Sequence, residues 1–420
     1  IRDNKKLPPS VVISELLDTL DEGFDRPDNN TGGGKSRQRW ITLHPLQPFS
    51  PAYFDPESPG LFSYAHGYYK GAQALRLAPG QQEPFFNSPL DVQSNEDEFL
   101  RLDNFLRFFH SPGAAFLRDR LSIYLGYQEE GIDEREPIEL SPLELYKVGN
   151  AMLEQFIAGQ TREEISRFFK ASGQIPPGTP GDCVVWELSR ELKPVTPTIR
   201  SFRKEDQLPP LTFDLRIGPH HLKGALSGIY PRGMLRYGYE RYKEIKLLRL
   251  WIEHLVLCSC CPGEEYPRSS MLICRKPKGK GSGMQTHEFL EVQAEEAKEL
   301  LKILLELYEI GQNEPLLLLP RSSDAYLQAL KQGKKKAETE AQMKALSKKA
   351  LRRARREWEE SSLFEEAERE EEVFSVLFRE ADPLHEEYPE RCELQGEENR
   401  FEELVEKIFS PLQEYLGKNK

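Results

Sequence analysis

Leu222-Lys223-Gly224-Ala225-Leu226-Ser227-Gly228-Ile229, then Met234-Leu235-Arg236-Tyr237-Gly238-Tyr239, then Lys246-Leu247-Leu248-Arg249-Leu250-Trp251-Ile252-Glu253-His254-Leu255 is the stretch that decides the fold. The first two blocks have strand length and strand composition, and Pro231-Arg232-Gly233 divides them. In the third, Leu247, Leu250, Trp251, His254, Leu255 and Cys258 recur at three and four, which predicts a strongly apolar helix over Tyr242–Cys261 with these residues on one face. Working outward, Leu211–Ile217 and His221–Ile229 are hairpin-like neighbours parted by Gly218-Pro219, and Met271–Cys274 is a further short strand. Ala294–Tyr308 is amphipathic and is expected to stop at Gly311.

Upstream, Phe99, Leu102, Phe105, Leu106 and Phe109 keep helical spacing from Glu96 on. Phe116, Leu117, Leu121 and Tyr124 do the same after the Ser111-Pro112-Gly113 break. A helix with Pro142 in its first turn runs to Ile157, and Thr161-Arg162-Glu163-Glu164 is a capping sequence for a short one reaching Phe169. Ser10 is placed to cap a first helix ending before Gly23. The fold class is therefore α/β: a three-layer arrangement with a central mixed sheet flanked by helices, plus helical extensions.

The 420 residues exceed one ordinary core and predict two or three domains. Lys and Arg number 57 against 69 Asp and Glu, and the net −12 excludes a wholly basic nucleic-acid coat, so any such contact must be local. The imbalance sits in the tail: Lys331–Arg356 carries +9, Glu357–Lys420 carries −14, and the first 330 residues carry −7. The basic run is most simply a solvated helix with Ala341, Ala345, Leu346 and Leu351 as its buried stripe, with a phosphate-contacting helix as the other reading. No apolar run approaches a membrane span. Six cysteines are too few for a disulfide scaffold and fit a reducing cytoplasm. The chain opens on Ile1 with no leader pattern and reads as a piece of a longer polypeptide.

Several apparent motifs fail on spacing. Gly32-Gly33-Gly34-Lys35-Ser36 has Asn29 where a phosphate loop needs its first glycine, and no strand precedes it. His254, Cys258, Cys260, Cys261 and Cys274 lack paired C-x-x-C knuckles, so buried thiols are expected rather than zinc. His220-His221 lacks an acidic partner at ligand spacing, and no G-x-S-x-G elbow is present. No metal and no cofactor is expected.

The Gly-led strand, second strand and apolar helix together resemble the core of RecB-like nucleases of the PD-(D/E)xK superfamily. Active members of that superfamily hold Mg²⁺ through a G-x-I-D strand and a D/E-x-K strand. Here the first acid's place is Ser227, the second acid's is Arg236 and the lysine's is Gly238, so the resemblance implies a degenerate site with no catalytic residues. Leu145–Phe156, which would carry a metal-binding His, has none.

Outside that site the chain resembles the gamma-subunit (RecC) family of exodeoxyribonuclease V. The resemblance is carried by Thr42-Leu43-His44-Pro45-Leu46-Gln47-Pro48-Phe49-Ser50-Pro51 with Tyr53-Phe54, by Leu61-Phe62-Ser63-Tyr64, by Asp103-Asn104-Phe105-Leu106-Arg107-Phe108-Phe109, by Arg249–Leu255, and by Glu314-Pro315-Leu316 with Ser322-Ser323-Asp324-Ala325-Tyr326. Ile1-Arg2-Asp3-Asn4 resembles the close of that family's helicase-like region, and the chain departs at 25–39. The resemblance implies four parts: residues 1–45, the end of a helicase-like region and a linker; 46–100, an irregular connector rich in proline and aromatics; 101–330, the degenerate nuclease-like domain; and 331–420, a charged, mostly helical extension.

It also implies a non-catalytic scaffold in recombinational repair. Such a scaffold would dock RecB-like and RecD-like subunits and guide a double-stranded DNA end and its separated strands. Arg118, Arg120, Arg236, Arg241 and Lys243 are the candidate DNA contacts. Two alternatives are an active nuclease using displaced acids such as Asp214 or Glu240, and a purely structural docking module.

Overall fold

The computed structural model describes residues 10–23, 41–58, 60–76, 85, 89–90, 99–125, 139–260, 266–277, 281–334, 339–361, 366–379, 382–384 and 400–417. Contacts divide the chain into two units, Ile1–Glu83 and Pro84–Lys420. Gly32–Ser36, Cys261 and Ile1–Asn4 lie outside the described residues.

In the first unit, α1 (Val11–Gly23) starts as expected, with the Ser10 side chain accepting from the Ile13 N–H. Residues 41–58 are held as an irregular segment by a one-turn helix, Pro51–Phe54, and by the Tyr53 hydroxyl, which lies 3.1 Å from His44 Nδ1. An element that the proline-rich reading passed over follows: α2 (His66–Arg76), with Tyr69 edge-on to Phe54.

The second unit begins with β1 (Leu100–Arg101), α3 (Leu102–His110) and α4 (Pro112–Leu121), the Ser111 side chain capping α4 as the Ser-Pro-Gly break demands. Then come α5 (Pro142–Ala158), α6 (Arg162–Ala171), α7 (Thr179–Leu192) and α8 (Thr196–Phe202). Ser141 with Glu144 and Thr161 with Glu164 form capping boxes at α5 and α6. Helices α7 and α8 were hidden by their prolines, which sit in the first turn of each helix, where a missing N–H costs nothing.

The strands are β2 (Leu211–Ile217), β3 (His220–Leu226), β4 (Ile229–Tyr230) and β5 (Gly233–Arg241). After α9 (Glu244–Cys260) come β6 (Ser270–Arg275) and β7 (Met284–Phe289). The α/β class with helical extensions holds, and its strands form two mixed sheets rather than one, β1-β3-β2 and β4-β5-β6-β7. The expected strand His221–Ile229 is broken: β3 pairs antiparallel with β2, whereas Ile229 pairs with Met234 of β5 in the other sheet. Gly228, at φ +68°, makes the break, so Ser227 stands in the turn between the sheets and not in a strand.

The four-stranded sheet is covered on both faces. Leu235, Tyr239 and Ile273 join one core with Met152, Phe156, Leu188 and Ile199 of α5, α7 and α8. Met234, Leu272 and Cys274 face a larger core built on α9. Helix α9 is buried nearly all round rather than on one face, with Trp251 packed on Phe289 at 4.9 Å.

Beyond it lie α10 (Ala294–Asn313), α11 (Pro320–Lys334), α12 (Glu340–Glu359), α13 (Glu372–Phe378) and α14 (Arg400–Tyr415). Gly311 does not stop α10. A Cβ there would stand 2.3 Å from the Phe108 ring, so the glycine is a notch that lets α3 pack against α10. Ala350, Trp358, Phe401 and Ile408 bring α12 and α14 into the larger core.

Candidate functional site

The positions that the nuclease resemblance singles out, Ser227, Arg236 and Gly238, are framed by the turn at Ser227-Gly228, strand β5 and the buried helix α9. Alternation along β5 turns Arg236 toward α9 and Tyr237 toward α5. The Arg236 guanidinium donates from Nε to Glu253 Oε2 at 2.9 Å, and from Nη1 to the Ser227 carbonyl at 2.9 Å and the Leu235 carbonyl at 3.2 Å. The Glu253 side chain is 6% exposed and that of Arg236 27%. Arg249 Nε stands 3.8 Å from the other Glu253 oxygen. A Cβ on Gly228 would lie 2.6 Å from Arg236 Nη1, so a glycine is needed there both for its φ and for this close approach.

Ser227 and Arg236 are thus brought together by the bond from the guanidinium to the Ser227 carbonyl. Glu253, which completes the arrangement, was missed. Its signal was a lone acid among leucines and isoleucines, one residue before a buried His. Gly238 lies against Asn150 of α5, whose side-chain oxygen accepts from the Tyr239 N–H at 2.9 Å. Beside it, Glu154 accepts from the Tyr237 hydroxyl at 2.6 Å and from Arg203 at 3.0 Å. Burial and this carboxylate push the Tyr237 hydroxyl up to about 12.

These residues do not fit Mg²⁺. The carbonyl of Ser227 already accepts from Arg236, Gly238 offers no side-chain donor atom, and Glu253 carries a guanidinium where a cation would have to bind. Among the described residues no three His, Cys, Asp or Glu side chains are grouped as metal ligands.

The displaced acids are separated and neutralised. Asp214, on β2, is bonded to His221 and to Lys223, and these two bonds hold its carboxyl below the usual range. Glu240, on β5 in the other sheet, pairs with Lys246. His220 pairs with Glu309 of α10 at 3.0 Å, so both histidines of the pair have the acidic partner that local spacing did not reveal. His254 is wired on both ring nitrogens, Nδ1 to the Ser270 hydroxyl at 2.8 Å and Nε2 to the Leu290 carbonyl at 2.9 Å.

The remaining candidate cations are scattered. Arg118 forks onto Asp119 at 2.7 and 2.8 Å. Arg120 donates to the Gln312 carbonyl and the Asn313 side chain, tying α4 to the C-terminal end of α10. Arg241 and Lys243 are exposed at the β5–α9 connection. Lys243, Arg249 and Lys246 act together on His110, whose ring is held below its ordinary value first by burial and then by these charges. Lys246 and Arg249 are the members of this group that sequence reasoning left out.

Comparison with known proteins shows which family the chain resembles. Residues 97–331 match the family model described as the RecC C-terminal domain. The chain is similar to the RecBCD enzyme subunit RecC of Escherichia coli K12, 27% identical over 333 residues, covering 78% of this chain and 28% of that protein. It is 26% identical to the RecC subunit of Mycolicibacterium smegmatis over 328 residues, with 77% and 28% covered. Against that of Mycobacterium tuberculosis H37Rv it is 25% identical over 339 residues, with 79% and 29% covered. The chain therefore spans under a third of the length of these curated relatives.

Proposed function

The chain belongs to the RecC C-terminal domain family, and on that premise we propose that it is the non-catalytic, DNA-guiding part of the gamma subunit of an ATP-dependent exodeoxyribonuclease and helicase of RecBCD type. The observation that carries the non-catalytic reading is the Arg236 guanidinium bound between the Ser227 carbonyl and Glu253, where an active nuclease would hold a metal ion. A buried carboxylate paired in this way cannot coordinate a divalent cation without first expelling the arginine, and that leaves the guanidinium charge unpaired beside the incoming cation.

The work left to such a domain is to hold and steer. Its partners would be RecB-like and RecD-like subunits, together with a duplex end and its separated strands, in recombinational repair in the cytoplasm. Exposed apolar side chains in the first unit support a docking role: Val11, Val12 and Leu16 on α1, and Phe62 and Tyr64 further on, the last 94% exposed. Lys243 and Arg249 at the start of α9, with Arg241 beside them, are the cations near the degenerate site best placed for a phosphate. No described helix is long and apolar enough to cross a membrane.

The test incubates the full-length protein with linear DNA and Mg²⁺ or Mn²⁺. Retention of DNA without cleavage is expected. Cleavage that disappears with Glu253→Gln or Asp214→Asn would overturn the non-catalytic reading.

A further inference from the structure

Helix α12 lies beyond the residues matched by the family model, and nothing in the degenerate site uses it. Its inner line, Ala350, Ala354 and Trp358, is buried in the core. On the opposite side Lys344, Lys348, Lys349, Arg352 and Arg353 are all exposed. None of the five has an ion-pair or hydrogen-bond partner among the described residues. The next arginines along the helix do: Arg355 pairs with Asp382 at 3.1 Å and Arg356 with Glu360 at 2.7 Å. In a chain with an excess of acid, five neighbouring cations without a partner among the described residues stand out.

The face also works against its own helix. Lys344 with Lys348, Lys348 with Arg352, and Lys349 with Arg353 are like charges four apart, each destabilising an isolated helix by about 0.2–0.5 kcal/mol. A bound polyanion removes that repulsion. From Lys344 to Arg353 the cations span about 13.5 Å along the axis, a length over which duplex DNA presents about eight phosphate charges. Met343 is the exposed large apolar side chain on this helix, at 37%, so the face lacks the aromatic core of a protein interface. It also lacks the aromatic platforms that hold stacked single strands.

We propose that the outer face of α12 is a sequence-independent binding site for the phosphate backbone of duplex DNA, held by Lys344, Lys348, Lys349, Arg352 and Arg353. This deepens the DNA-guiding reading and rests on it. Each phosphate neutralised releases condensed counterions, so the site contributes to the salt dependence of binding more than to sequence preference.

The experiment measures affinity of the full-length protein for a short blunt duplex and for a single strand of equal length across a salt series. Replacing all five cations by Gln, which keeps helix propensity, is expected to reduce the duplex log K against log[salt] slope by about 3 to 4.5, and to leave the single-strand slope unchanged. The milder pair Lys348→Gln with Arg352→Gln is expected to reduce it by about 1.8. Exchanging Lys for Arg and Arg for Lys at the five positions should preserve the slope.

An unchanged duplex slope in both Gln variants, equal loss on the single strand, or loss in the charge-conserving variant overturns the proposal. A parent protein that binds duplex with no salt dependence overturns the DNA-guiding reading itself. That result differs from an α12 failure, in which the parent protein keeps a steep slope.

Discussion

At the scale of single residues, the proposed degenerate site rests on the Arg236–Glu253 salt bridge, which on the non-catalytic reading stands in the place of a metal. Removing one partner of a buried pair leaves the other uncompensated, so Arg236→Ala is expected to cost about 3 kcal/mol in urea unfolding. Combining it with Glu253→Leu should recover most of that loss, because two apolar groups replace two charges. If the double variant is as unstable as the single one, Glu253 does not depend on Arg236. Gly228→Ala, which forces a Cβ toward Arg236 at φ +68°, should cost about 1–2 kcal/mol by the same measurement. Ser227, Arg236 and Gly238 could be singled out in the sequence because the motif of the resemblance specifies its residues by position. Glu253 could not, since an acid in a helical repeat looks outward-facing until the helix is known to be enclosed on every side.

At the scale of elements, the strands and helices of the second unit were legible wherever apolar periodicity set them, as at β2, α5 and α9. What periodicity could not reveal was the partner. The break at Gly228 assigns β3 and β4 to different sheets, and the notch at Gly311 depends on Phe108, some two hundred residues earlier. Gly149 is a similar notch: an added Cβ would stand 2.0 Å from the Tyr239 ring, so Gly149→Ala should push α5 off β5 at a cost of about 1–3 kcal/mol in chemical denaturation. An unchanged midpoint would show that α5 does not bear on β5 there. Glu368 ties a distant segment to α11 by accepting from the backbone N–H groups of Arg321 and Ser322 and from the Ser322 hydroxyl. Glu368→Ala leaves those donors unsatisfied, and hydrogen exchange at Arg321 and Ser322 is expected to accelerate at least tenfold.

At the scale of the whole molecule, the two histidines in the larger core make stability depend on pH. Burial lowers both His254 and His287 to about 4, against an ordinary value of 6.5. Below 6.5 the unfolded chain takes up protons that the folded chain refuses, so stability is full above pH 6.5 and falls as pH drops toward 4, by on the order of 2–3 kcal/mol per histidine. His287 stacks on Tyr242 at 4.8 Å and has no hydrogen-bond partner among the described residues, so His287→Phe should keep the packing and flatten the acid limb of the stability curve. A limb that remains as steep would assign the acid sensitivity elsewhere.

The central claim is that a guanidinium has taken the place of a metal ion in a nuclease-like frame. Calorimetric titration of the full-length protein with Mn²⁺ tests it most directly. The account predicts no saturable binding that depends on Glu253. A saturable Mn²⁺ site that disappears with Glu253→Gln, while the fold remains intact, would contradict it.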